Sequence, residues 1–514
     1  MFRALDFDPR PLLALLVVGF CLSLAGSANA AWSRATTPHF IIYGVNSESS
    51  LRDFAIRMER FDYALRRRFG FGDDAEPEKL TIYVVTDEGA VQELMPGDRR
   101  NAIGVYFAAP EGAFAAVSLK GYDDDSLSPD LVLFHEYTHH FMYRYFRTAF
   151  PNWYTEGFAE FMATTAFTKE GRVKVGLPAQ HRAAGLLGFA PPSIERLLTQ
   201  STKDLSPTAG DVFYGRAWLL VHFLTLDPAR HGQLTAYLQR LTAGESSLDA
   251  ARETFGDLKI LDKDLDHYLV GKLGYTTSVD IIPTPAGFPV TELDPADSEL
   301  MHLQLRERAI RNVFKLAPTL TATRRFVHEH PDNLNGQCLL AKLEYTMWAF
   351  DRADAAVDAA LAINPKFSRA LLLKGLIKEA RLIRNRTTAP EAWKSERSWL
   401  IRANNADVND PLPLIFYYNS WLEAGLTPPE NAFSGLKTAY SMIPEVDWAR
   451  MTYAQALILR KSFAEAAQTI APLANAPHDN GWSKSAQTLL ARVNLAIKSG
   501  VMPPEAPPAG QQAP

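Results

Sequence analysis

Leu51, Phe54, Met58, Phe61 and Leu65 recur at steps of three and four residues, which predicts an amphipathic helix over residues 49–69. Shorter apolar runs flank it. Residues 39–43 (His-Phe-Ile-Ile-Tyr), 80–85 and 113–119 read as strands. The run beginning at Glu111 is expected to be the edge strand of the sheet they form. From residue 128 to about 273 the rhythm turns mostly helical. Strands first and helices after is an α+β order, and it predicts a small mixed sheet over a set of helices. Asp123, Asp124 and Asp125 mark a polar loop between the two; calcium ligation is the alternative reading of these acids.

Pro283, Pro285, Pro289 and Pro295 crowd residues 275–298, which reads as a connector. Beyond it helical patterning continues to Ser499. Leu340, Ala341, Ala353, Val357, Ala360 and Pro365 stand where a tetratricopeptide unit places its small and bulky residues. Gly375 follows Ala341 by one such period (375 − 341 = 34). Ala432, Leu436, Ala439 and Pro444 repeat the second-helix pattern, as do Tyr453, Ala454, Ala466, Ile470 and Leu473. The stretch 384–413 breaks the period. Three or four TPR-like helical hairpins are expected over 299–499, with a non-repeat bundle as the alternative. The Pro-rich tail at 500–514 is expected to be disordered.

Chemistry concentrates at His135-Glu136-Tyr137-Thr138-His139. Two histidines four apart on a helix share a face, so both rings can point at one metal ion. Glu136 is placed to take a proton from water at that ion. Glu156, in the run Trp-Tyr-Thr-Glu-Gly-Phe-Ala-Glu, supplies a third ligand from a second helix. Two His, one carboxylate and an open position make a catalytic rather than a structural zinc set. The alternative is a core helix whose histidines are hydrogen-bonded internally. His140 points about 100° from His139, which suits a supporting or surface role. Glu160, one turn after Glu156, can accept the free ring N–H of a ligand His; a solvated surface Glu is the alternative. Asp211-Val-Phe-Tyr-Gly-Arg offers Tyr214 and Arg216 as donors to an oxyanion, with a core aromatic as the equal alternative for Tyr214.

These elements resemble the gluzincin metallopeptidases, zincins whose third ligand is a Glu. His135-Glu136-Tyr-Thr-His139 and Trp153-Tyr-Thr-Glu156-Gly157-Phe158-Ala159-Glu160 are similar to the HExxH and W-x-x-E-G-x-A-E elements of the peptidase-MA-like families. The two are separated by 16 residues (156 − 139 − 1 = 16), slightly fewer than in the aminopeptidase branch. The resemblance covers roughly residues 35–275. It implies a zincin-like domain, one Zn2+ held by His135, His139 and Glu156, Glu136 as general base, and Tyr214 as transition-state stabiliser. The aminopeptidase branch has an acidic residue after an upstream Gly-Ala pair. Here Gly112-Ala113 is followed by Phe114, so endo- versus exopeptidase action is left open.

At the N-terminus, Arg3 and Arg10 precede an apolar run over 12–25, and Ala28-Asn29-Ala30 matches a cleavage site. Residues 1–30 are therefore expected to be a signal peptide, with an uncleaved anchor as the alternative; the run is shorter than the about 20 residues of a span. Only Cys338 would remain after cleavage, which suits a periplasm and no internal disulfide. The net charge of −5 argues against nucleic acid as a partner; Arg66-Arg67-Arg68 reads as a solvated helix face. The expected layout is a signal at 1–30, a metallopeptidase-like domain at 31–274, a linker at 275–298, repeats at 299–499 and a tail. A polypeptide substrate and a protein partner for the repeats follow. The other class to weigh is a non-catalytic interaction scaffold with a peptidase-like binding module, and a zinc hydrolase of non-peptide bonds is a third.

Overall fold

A computed structural model of the chain describes residues 31–94, 104–119, 128–203, 205–283, 287–310, 312–477 and 481–504. The expected signal segment, Asp123-Asp124-Asp125, Pro285 and residues 505–514 lie outside them. The fold is α+β, with mixed and small sheets and many helices.

The strands are β1 (Ser33–Thr36), β2 (Phe40–Gly44), β3 (Leu80–Val85), β4 (Gly104–Ala109), β5 (Gly112–Ser118), β6 (Ala166–Phe167), β7 (Arg172–Val175), β8 (Thr276–Ile281) and β9 (Val290–Glu292). Six of them form a mixed sheet in the order β4-β5-β3-β2-β1-β9, and β6-β7-β8 form a second. In the large sheet β2 pairs with β3 and β3 with β5 in parallel; the other pairings are antiparallel. The edge beside the helices is β4. The expected edge run at 111–119 is instead β5, enclosed between β3 and β4, because the hairpin at 110–111 folds β4 back along it.

Alternation along the strands gives the sheet two apolar faces. Ile82, Val84, Ala115 and Val117 pack toward α1 (Glu48–Phe69). Tyr83, Val85, Phe114 and Ala116 face the other way, next to Val91 of α2 (Glu88–Gln92). Helix α1 starts at a Ser47 cap that accepts from Ser50 N, and it ends on Gly70 at φ 74°, a left-handed position suited to glycine. Its five periodic apolar residues are all buried. Arg66 is not on a solvated face: it is buried against Asp62 at 2.6 Å and Glu76 at 2.7 Å, while neighbouring Arg67 is exposed. A carboxylate one turn back on the same helix, Asp62, explains why this one arginine of three turns inward.

Next come α3 (Pro129–Tyr145), α4 (Asn152–Ala163), α5 (Ala183–Gly188), α6 (Ile194–Thr199), α7 (Pro207–Leu226), α8 (Gln233–Thr242), α9 (Ser247–Phe255) and α10 (Leu258–Val270). Among the described residues no helix is long and apolar enough to cross a membrane.

The segment expected to be a bare linker, 275–298, is woven into both sheets. Its β8 pairs with β7 and its β9 with β1. Pro283 and Pro289 flank these strands rather than interrupt them, and both are edge strands, where proline does least harm. Helix α11 (Pro295–Ala309) then lays Met301, Leu305 and Ala309 over the second face of the large sheet.

After α11 and α12 (Ala317–Glu329), helices pack in consecutive pairs: α13 (Leu334–Thr346) with α14 (Phe350–Ile363), α15 (Ser368–Arg384) with α16 (Pro390–Ala406), α17 (Leu412–Glu423) with α18 (Glu430–Met442), and α19 (Asp447–Leu459) with α20 (Phe463–Ala474). Helix α21 (Ser483–Ser499) closes the row. The first helices start 34, 44 and 35 residues apart (368 − 334, 412 − 368, 447 − 412). The longest of these intervals spans 384–413, and helix pairing continues beyond it. Each pair turns through a left-handed residue: Trp348, Arg386, Gly425 and Lys461. In each the next amide reaches back to a carbonyl five residues earlier, as Ala349 N does to Glu344 O at 2.9 Å and Ser462 N to Leu457 O at 2.9 Å. Gly375 is needed where α15 and α16 meet, since a β-carbon there would lie 2.7 Å from Leu400.

The two halves also meet through polar contacts. Arg144, at the end of α3, reaches Glu445 at 2.9 Å, and Arg450 donates to the carbonyl of Tyr143 at 2.9 Å.

Candidate metal centre

Helix α3 is fixed from several sides. Ser128 Oγ accepts from Leu131 N at 3.2 Å, and Pro129 sits in the first turn, where its missing N–H costs nothing. Phe134 stacks on Phe61 with centroids 3.9 Å apart, and Tyr137 donates to the buried Asp62 at 2.6 Å. His135 and His139 are thereby turned away from this anchored side. Helix α4 is buried along nearly its whole length, including the carboxylates Glu156 and Glu160 among its aromatic and apolar residues. It approaches α7 at Gly157, where a β-carbon would meet the backbone of Ala217. That close approach carries Glu156, fully buried, to the histidines.

His135 Nε2 and His139 Nε2 lie 3.1 Å apart. Glu156 Oε2 is 3.5 Å from the first and 3.4 Å from the second. Ligand atoms around a tetrahedral ion at 2.0–2.1 Å stand about 3.3 Å from one another. Two neutral-capable imidazoles and a carboxylate at these spacings form a group able to hold a metal ion. Two other groups have the residue types but not the same arrangement. His39 gives Nδ1 to Glu59 at 2.8 Å and Nε2 to the Asp74 carbonyl at 3.0 Å, and the group Glu299, Glu329 and His330 lies toward the surface.

Behind the ligands, Glu160 Oε1 stands 3.3 Å from His135 Nδ1, which sets the ring with Nε2 toward the centre. Glu160 is buried, so the surface reading fails. His181 Nε2 meets its other oxygen at 2.7 Å, and Arg182 donates to Oε1 at 2.6 Å. Burial works to raise the Glu160 carboxyl, but Arg182 and the two histidines hold it well below the usual carboxylate range. Burial likewise opposes a charge on His135, and the Glu156 and Glu160 carboxylates outweigh it, pushing the ring up to about 10. Without a metal, the pocket's negative charge thus draws a proton onto a ligand nitrogen.

Glu136 is half-buried and makes no hydrogen bond or ion pair to another described residue. Its charge helps raise the phenols of Tyr106, on β4, and Tyr214, on α7, after the larger effect of burial. Tyr214 is held protonated by burial and by Glu156, against the opposing effect of Arg182, whose guanidinium lies 5.1 Å from its ring centre. Arg216 belongs elsewhere. It is buried against Asp262 at 2.7 Å and Asp266 at 2.6 Å, because two positions along α7 turn it to the opposite side. His140 is also buried, with Nδ1 3.0 Å from Tyr106 OH, and burial lowers it to about 4. It is a neutral partner of the edge strand.

The sequence pattern did not single out His181, Arg182 or Tyr106. The first two lie in an irregular segment with no periodic signal, and Tyr106 is one of several strand aromatics. No protein-family model and no curated protein sequence matches the chain.

Proposed function

We propose that the chain is an exported zinc metallopeptidase acting on polypeptides. The observation that carries this reading is the triangle of His135 Nε2, His139 Nε2 and Glu156 Oε2, 3.1–3.5 Å on a side, with a half-buried carboxylate next in sequence. These three residues would hold the ion. When bound, zinc lowers the pKa of a water ligand to about 7 and polarises a carbonyl. Glu136 then takes the water's proton and delivers it to the leaving nitrogen. Tyr214, protonated at neutral pH, donates to the oxygen of the attacked carbonyl. Glu160 keeps His135 in the tautomer that offers Nε2. Among the described residues the outer edge of β4 pairs with no strand, which suits an extended peptide that would add to the sheet beside α3. The paired helices after residue 317 would serve a protein partner or guide the substrate, and the leader would direct the protein to the periplasm.

Purified protein should contain about one zinc per chain. Glu136→Gln should retain that zinc and lose digestion of a peptide library. Equal turnover by the two proteins would overturn the reading.

A further inference from the structure

We propose that Arg182 is a positioning residue that ties the orientation of His135 to that of Tyr214. The tie to Tyr214 rests on the peptidase reading; the tie to His135 requires only that a metal binds. The guanidinium forks. One arm donates to Glu160 Oε1 at 2.6 Å, the oxygen that stands 3.3 Å from His135 Nδ1. The other donates to Asp211 Oδ1 at 2.9 Å, one turn before Tyr214 on α7, and the Tyr214 ring lies against the guanidinium. A planar group with parallel donors can serve both carboxylates at once, which a lysine ammonium cannot do with fixed geometry.

A purely structural role would be to pin residues 177–188 onto α7. Packing already does that. A β-carbon on Gly185 would stand 2.9 Å from the Asp211 backbone, and one on Gly215 would stand 2.9 Å from Leu186. These two close contacts, one against backbone and one against the Leu186 side chain, hold α5 in place, so the arginine is left to align the side chains between α4 and α7.

The test compares R182M, R182K and wild type, each alone and combined with Tyr214→Phe. Zinc affinity is read by chelator competition, and kcat and KM by peptide turnover. R182M should fold, bind zinc about tenfold more weakly, and lose kcat with KM nearly constant. Tyr214→Phe should then add less than about a twofold further loss. R182K keeps the charge without the fork; it should hold zinc within about threefold of wild type yet lose kcat about tenfold. Wild-type zinc affinity in R182M, or wild-type kcat in R182K, would overturn the proposal. If R182M fails to fold, R182K decides. Should wild type bind zinc and cleave no peptide, the peptidase reading fails, while zinc affinity in R182M still decides the link to His135.

Discussion

Gly157 lies so close to Ala217 that a β-carbon on it would stand 2.5 Å from the Ala217 carbonyl oxygen. The contact locks α4, which carries Glu156, to α7, which carries Tyr214. Gly157→Ala must push the two helices apart, since the obstacle is backbone. Overpacking of this kind costs about 1–3 kcal/mol. The expected outcome is a lower urea midpoint at unchanged m-value, together with weaker zinc binding. An unchanged midpoint would show that the helices tolerate the shift.

Tyr214→Phe removes one hydroxyl from a mostly buried phenol. Loss of a single oxyanion donor costs about 10²–10³ in kcat. KM and zinc content should stay near wild type, because the phenol is not a ligand. A rise confined to KM would assign Tyr214 to substrate binding instead.

Glu379 on α15 and Glu396 on α16 are both buried. Burial first, then Glu423, raises Glu379 to about 8 against the pull of Arg397. Burial first, then Glu379, raises Glu396 to about 9, again opposed by Arg397. Both acids are neutral in the fold at pH 7, whereas the unfolded chain ionises them near pH 4.3. A raised carboxyl favours the native state fully below the unfolded pKa, and that advantage disappears as pH rises through 8–9. Glu396→Gln should match wild type near pH 4 and exceed it by on the order of 1 kcal/mol or more at pH 9.5. Denaturant titrations at the two pH values measure this; a difference independent of pH would refute it.

Arg144 joins Glu76 of the first half and Glu445 of the repeat half, all three with little solvent contact. Glu445→Gln removes one charge from this buried junction and should cost about 3 kcal/mol. Thermal unfolding followed separately by probes in each half should then lose coincidence. Retained coincidence would mean that the remaining contacts, Arg450 with the Tyr143 carbonyl among them, couple the halves.

Much of the metal triangle was legible because helical spacing is rigid: His135 and His139 had to share a face. Glu156 was legible from its local run, although bringing it within 3.5 Å depends on Gly157, a long-range packing contact. Other features escaped for the same kind of reason. Strand order is set by pairing across the chain, so the run at 111–119 gave no sign that β4 would cover it. Proline density at 275–298 reported local backbone limits and not the partners that recruit β8 and β9. Arg182 came from a segment whose place is decided by the close packing of Gly185 and Gly215 between α5 and α7. The helices of the second half were easier to read, since neighbours in sequence are neighbours in space.

Helix α11 shares with α2 the cover of one face of the six-stranded sheet. A protein truncated at residue 274 would keep every proposed zinc ligand and still lose Met301, Leu305, Ala309 and Arg308 from over Tyr83 and Phe114. It would also lose the strand that borders β1. Such a fragment should be sticky and insoluble, so attempts to study hydrolysis on a minimal catalytic piece should extend at least through residue 309. Evolution, for the same reason, cannot exchange the helical array at the proline-rich stretch without also supplying a new cover for the sheet.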